Sequence, residues 1–141
     1  MPAPMTESAL AQQLIEFYEK FSSWEADVVK NSGLSPAQMH TIENIGHAGP
    51  LRMKELAGKM GVTTGTLTVM IDRLEQQGLL HRLPHATDRR SWLVALTDRG
   101  EQLFREHHQY HLRLTAELTA TLSPEEEERF SVILAKILGR L

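Results

Sequence analysis

The 141-residue sequence predicts a mainly α-helical chain with a small β-hairpin wing: a winged helix-turn-helix core with long N- and C-terminal dimerisation helices. Three observations predict it. A short apolar helix, a glycine turn and a capped second helix follow one another between Arg52 and Gly78, which is the helix-turn-helix plan. Two short β-like runs with arginines between them come directly afterwards. Long apolar stripes at three- and four-residue steps occupy both ends of the chain. The organisation is 1–33, an N-terminal dimerisation helix; 34–98, the DNA-binding core; and 99–141, C-terminal dimerisation helices, all intertwined as one domain.

Residues 1–5 read as a short disordered arm. From Glu7 to Val29, Leu10, Leu14, Phe17, Phe21, Trp24 and Val28 form the stripe of a long amphipathic helix, ended by Asn31 and Gly33. Ser35 caps the next helix, with Pro36 at its first position; Met39, Ile42 and Ile45 are its buried side. Gly46 to Pro50 form a turn. Arg52 to Met60 is a short helix with Met53, Leu56, Ala57 and Met60 inward, and Gly61 and Val62 make a tight connection. The helix from Thr63 to Gly78 is the centre of the design. Thr63 can cap its first turn, Gly78 can adopt the left-handed conformation past its end, and Leu67, Met70, Ile71 and Leu74 form one apolar face. The other face carries Thr64, Thr66, Thr68 and Arg73. Short hydroxyl side chains allow close approach to a surface and can bond to phosphates or base edges, as expected of a helix that enters the major groove.

The β-like runs Leu79–Leu83 and Ser91–Leu96 flank the tip PHATDRR, with Trp92, Val94 and Leu96 on one side. Arginines near a wing tip suit the negative potential of a narrow minor groove. Thr97 and Asp98 then start a long helix with the stripe Leu103, His107, His111, Leu114 and Leu118. Ser123 to Glu126 form a capping box for the last helix, whose apolar face is Phe130, Ile133, Leu134, Ile137, Leu138 and Leu141. The terminal stripes exceed what a small winged core needs, and two-fold dimerisation through them is the economical arrangement.

Charge agrees with one basic face. The net charge is −3, yet between Pro50 and Ala95 seven basic residues stand against four acidic ones, and the two ends hold eight against fourteen. A basic middle between acidic ends is expected when one surface meets phosphate. The absence of cysteine excludes disulfides and thiol sensing. There is no secretory signal and no apolar run of membrane-spanning length, so a soluble cytoplasmic protein that needs no membrane is expected. Catalysis is not: His107 and His111 have metallohydrolase spacing, but His108 stands where the general-base glutamate belongs, and neither a phosphate loop nor a nucleophile elbow is visible.

The stretch LSPAQMHTIENIGHAGPLRMKELAGKMGVTTGTLTVMIDRLEQQGLL, followed by HATDRRSWLVALTDRG, resembles the MarR family of winged-helix transcription regulators over about Leu34 to Gly100. The resemblance implies a homodimer that binds a palindromic double-stranded operator, with one helix of each subunit in a major groove and a wing in the flanking minor groove. Carried over, Thr64, Thr66, Thr68 and Arg73 face the major groove or its phosphates. Asp88 and Arg90 match the family's wing pair, in which the acid orients the arginine that enters the minor groove, and Arg89 is a phosphate contact. Many relatives have arginine or lysine where this chain has Val69, which removes one expected contact.

His107 and His111, four apart on one helix, could hold one metal. The segment EHHQYH is similar to the histidine-rich segment of the family's zinc-uptake repressor branch. That likeness implies a zinc site on His107, His111, His40 of the second helix and an acid of the first, Glu25 or Asp27. The remaining histidines read as surface or backbone-contact residues, and His85 near the wing could add a phosphate contact. The expected function is therefore a sequence-specific, effector-responsive DNA-binding regulator, acting as a repressor. Metal would promote DNA binding, or a small organic anion, often aromatic in this family, would release it. A protein-binding adaptor that has lost DNA contact is the alternative; Val69 and the acidic net charge favour it, and Asp88, Arg89 and Arg90 oppose it.

Overall fold

In the computed structural model, which describes residues 6–141, Thr6 opens the first helix by accepting the Ala9 N–H at 3.1 Å. The arm predicted for residues 1–5 lies outside the described residues. Helix α1 covers Glu7–Val29. Helix α2, Pro36–Ala48, starts with a reciprocal capping box between Ser35 and Gln38, which satisfies two amide donors that a helix start otherwise leaves open. Helix α3, Met53–Met60, ends on Gly61 in the left-handed region. Helix α4, Thr64–Gln76, follows immediately, and Gly78 at φ 73° turns the chain out of it.

The sheet departs from expectation in one respect. Besides β2 (Leu80–Pro84) and β3 (Trp92–Leu96) there is a two-residue strand β1, Leu51–Arg52, and the order is β1-β3-β2. All pairs are antiparallel, with Leu51 opposite Val94 and Arg82 opposite Val94 on the other side. Arg52 is thus the end of a strand and the N-cap of α3 rather than its first helical residue. Two residues carry no periodicity to read; the strand exists because β3 offers an unpaired edge beside them.

The chain divides into two compact units, Met1–His107 and His108–Leu141, with the boundary inside helix α5, Asp98–Thr119. In the first unit the predicted stripes converge. Ile42, Leu56, Leu67, Ile71, Leu74 and Val94 are fully buried, and each such side chain contributes roughly 1.5–3 kcal/mol of transfer free energy. Trp92, expected on the same side as Val94 and Leu96, is exposed. It pairs with Pro84 at the outer end of the hairpin, where the wing has run past the core. Helix α5 is fixed at its start by Thr97, whose hydroxyl donates to the Gly78 carbonyl at 2.6 Å and accepts the Gly100 N–H at 3.1 Å. Gly100 lies against the Leu79 carbonyl and Gly46 against the Phe104 ring; a Cβ at either would overlap its neighbour.

The second unit holds the remainder of α5 and helix α6, Pro124–Leu138, with a capping box between Ser123 and Glu126. No residue of α6 is buried, and Phe130, Ile133, Ile137 and Leu138 are exposed. Among the described residues no helix is long and apolar enough to cross a membrane.

Candidate nucleic-acid interface and metal centre

Helix α4 separates its residues by face. Leu67, Ile71 and Leu74 have no exposure, while Thr64, Thr66, Thr68 and Arg73 are all exposed. The hydroxyls are oriented within the helix. Thr63 accepts the Thr66 N–H at 3.1 Å and donates its own O–H to Thr66 Oγ1 at 3.0 Å, so the Thr66 hydroxyl hydrogen can donate outward. Thr68 donates to the Thr64 carbonyl at 2.8 Å, so its oxygen presents lone pairs. The face therefore offers a donor suited to phosphate and an acceptor suited to a base amino group. Val69 is exposed between them. A groove of about 360 Å³ runs beside this face, lined by Ser35, Gln38, Thr66, Val69, Met70 and Arg73.

The wing is braced at its base and shaped at its tip. Arg82 of β2 reaches back to α4, with Nη1 2.8 Å from Glu75 and Nη2 2.5 Å from Asp72, and its backbone N–H donates to Glu75 at 3.2 Å. At the tip, the His85 N–H donates to the Ser91 carbonyl at 3.1 Å. Asp88 accepts the Arg90 backbone N–H at 3.0 Å and the Ser91 hydroxyl at 2.9 Å. These two bonds, and then the charges of Arg52 and His85, hold the Asp88 carboxyl below the usual carboxylate range. The acid thus orients Arg90 through its main chain, and among the described residues no ion pair joins Asp88 to the Arg90 guanidinium. Arg89 and Arg90 are exposed.

A second cluster lies inside the first unit. His107 Nε2 of α5 is 3.0 Å from Glu25 of α1 and 3.0 Å from Glu43 of α2. Each of the three offers a ligand atom within 4.8 Å of the others; His111, one turn along the same unbroken helix, falls in the second unit. Glu25 is 9% exposed and His107 3%, a depth at which charged groups need partners. Burial, then the Glu25 charge, then a hydrogen bond with Glu25 push the Glu43 carboxyl up to about 8. The structure brings together Glu25 and His107 of the sequence-predicted ligands. It does not bring in His40, which is exposed: it stands one residue, about 100° of helix, past the buried Met39. Asp27 is also exposed. Glu43, which the sequence reading missed, takes the second-helix place. It follows Met39 by four residues, on the buried side, and a charged group there was the available signal.

A core of three short helices, a capped helix with an open polar face and a braced two-stranded wing define a winged helix-turn-helix DNA-binding protein. The MarR family pattern matches residues 34–92. The multiple antibiotic resistance protein MarR of Salmonella typhimurium is 36% identical over 118 residues, covering 79% of this chain and 82% of that protein. The HTH-type transcriptional repressor MdtR of Bacillus subtilis is 29% identical over 130 residues, 92% of this chain and 84% of the relative. Among solved structures, Streptococcus pneumoniae FabT in complex with DNA shares the fold at a TM-score of 0.84 and 23% identity, over 95% of this chain and 96% of that one. The chain belongs to the MarR family and is a DNA-binding transcriptional regulator, not an enzyme.

Proposed function

We propose that the chain acts in the cytoplasm as a homodimeric, metal-responsive repressor that places α4 in the major groove of a palindromic operator and the wing in the adjacent minor groove. The observation that carries the DNA reading is the exposed face of Thr64, Thr66, Thr68 and Arg73 beside a wing whose Asp88 shapes the backbone of Arg90. Thr66 donates to phosphate, Thr68 accepts from a base, and Arg89 and Arg90 meet phosphate and minor groove. Val69 leaves apolar contact, such as with a thymine methyl, where relatives place a cation. The exposed apolar residues of α1 (Leu10, Leu14, Phe17) and of α6 (Phe130, Ile133, Ile137) support a dimer through the terminal helices.

The effector reading rests on the group Glu25, Glu43 and His107, of which Glu25 and His107 are buried and Glu43 is half-buried. Two carboxylates and an imidazole fit a borderline divalent cation, zinc first. Such an ion supplies the positive charge that two adjacent carboxylates lack. Glu25 and His107 are then tied to Glu43 of α2, the first helix of the winged core, and this changes the relative affinities of the DNA-competent and DNA-incompetent states. Zinc calorimetry on chelator-stripped protein tests it: one ion per subunit is expected, lost in His107→Ala and in Glu43→Ala but kept in His40→Ala. Binding that survives His107→Ala, or needs His40, overturns this ligand set. For the DNA reading, Arg90→Ala is expected to lose most operator binding while the protein stays folded and dimeric, and unchanged affinity would remove the wing from the interface.

The groove beside Arg73, with Met70 and Val69 on its apolar wall, favours a second reading, an organic anion docking on the DNA-reading helix itself. Release of operator by aromatic acids, abolished in Met70→Trp, is the outcome expected of it.

A further inference from the structure

Arg52 stands outside the DNA-facing groups described so far. It ends β1, paired with Leu93 of β3, and is exposed. Its Nη2 lies 2.8 Å from Nε2 of His85 at the base of the wing tip. On the other side of that ring, Nδ1 accepts the Asp88 N–H at 3.1 Å and the Thr87 N–H at 3.3 Å. A neutral imidazole has one bare nitrogen. The two amides and the Arg52 guanidinium compete for that one nitrogen. His85 therefore touches Arg52 without satisfying it.

Among the described residues Arg52 forms no salt bridge. The Asp88 carboxylate is close enough to feel its charge but is engaged by Arg90 and Ser91. Arg82, on the far side of β3, is the opposite case, held by Asp72 and Glu75. Of the two guanidiniums on this sheet, one is neutralised by its neighbours and the other is held against the wing with donors to spare.

We propose that Arg52 is a DNA-phosphate contact and His85 its positioning residue. The inference rests on the wing reading above. A phosphate supplies the two acceptor oxygens in one plane that a guanidinium matches and an imidazole lacks. The ring has two tasks: its Nδ1 gathers the amides that place Asp88, and its edge stops Arg52 from swinging away from the wing. The footprint then extends from the wing tip to the strand just before α3, with a contact that carries no sequence information.

Salt-dependent binding to operator and to random duplex tests this in full-length protein. Arg52→Ala is expected to weaken both by a similar factor and to lower the slope of log affinity against log salt by about one. Arg52→Lys should keep the slope. His85→Ala should weaken binding in wild type and do little further in the Arg52→Ala background, because the two act as a pair. If Arg52→Ala leaves slope and affinity unchanged while Arg90→Ala abolishes operator binding, the wing reading stands and the Arg52 assignment is overturned. If both are silent, the wing reading itself has failed. A loss on operator alone would make Arg52 a base reader and likewise overturn the phosphate assignment. Arg52→Lys guards against misfolding: a lysine variant with the alanine variant's slope would also count against it.

Discussion

Helices α4 and α6 are built alike and end differently. Each opens on a hydroxyl N-cap, Thr63 or Ser123, and each carries an apolar stripe at three- and four-residue steps. In α4 the stripe residues Leu67, Ile71 and Leu74 have no exposure; in α6 no residue is buried, and Ile133 is 52% exposed. Amphipathic pattern thus announces that a face will be covered without saying by what. α4 is covered by its own chain, and α6 has the same need met, on the dimer proposal, by a second copy.

The largest effect separates these cases directly. Ile71→Ala is expected to cost about 2–5 kcal/mol of stability in urea unfolding, and Ile133→Ala far less in a dilute monomer. Equal costs there would mean that the α6 face is covered within one chain. Next in size, Ile133→Glu combined with Ile137→Glu should sediment as a monomer where the wild type, on the dimer proposal, sediments as a dimer, and operator binding should weaken with it. A dimer that persists would put the two-fold contact elsewhere.

A smaller effect concerns pH. The Glu43 carboxyl has an ordinary value of 4.5 and is pushed up to about 8 in the fold. Between those limits the folded state holds a proton that the unfolded state has released. Stability from this group is therefore greatest below the ordinary value and falls as pH rises through the window to about 8. Urea midpoints of wild type and Glu43→Gln should diverge across that range, and parallel curves would show that the carboxyl is not proton-bearing. The smallest effect is common to both helices. Thr63→Ala and Ser123→Ala should each cost about 1 kcal/mol, because capping is local and indifferent to what covers the stripe.

Much of the fold could be read from residues because its signals are local. The caps at Ser35, Thr63 and Ser123, the glycine turns at Gly61 and Gly78, and the stripes of α2 to α4 act over one or two turns. Strand β1 could not be read so, since its two residues owe their conformation to β3, about forty positions later. The exposed threonines of α4 were legible as a face, but the donor capacity of Thr66 and the acceptor capacity of Thr68 depend on hydroxyl partners that only coordinates supply. In the candidate metal group, His107 was visible from its spacing to His111. Glu43 meets Glu25 and His107 only through the packing of three helices, and a resemblance pointed one turn short of it, to His40.

The brace between Arg82 and Glu75 has another consequence. Strand β2 is the outer edge of the sheet, and a projecting hairpin with a bare edge invites β-pairing with other molecules. Here the outward amide at Arg82 is already bonded to Glu75, and two residues on, Pro84 has no amide to offer. The same side chains that aim the wing also close its edge, so a hairpin long enough to reach a groove can be displayed in solution without becoming a seed for aggregation.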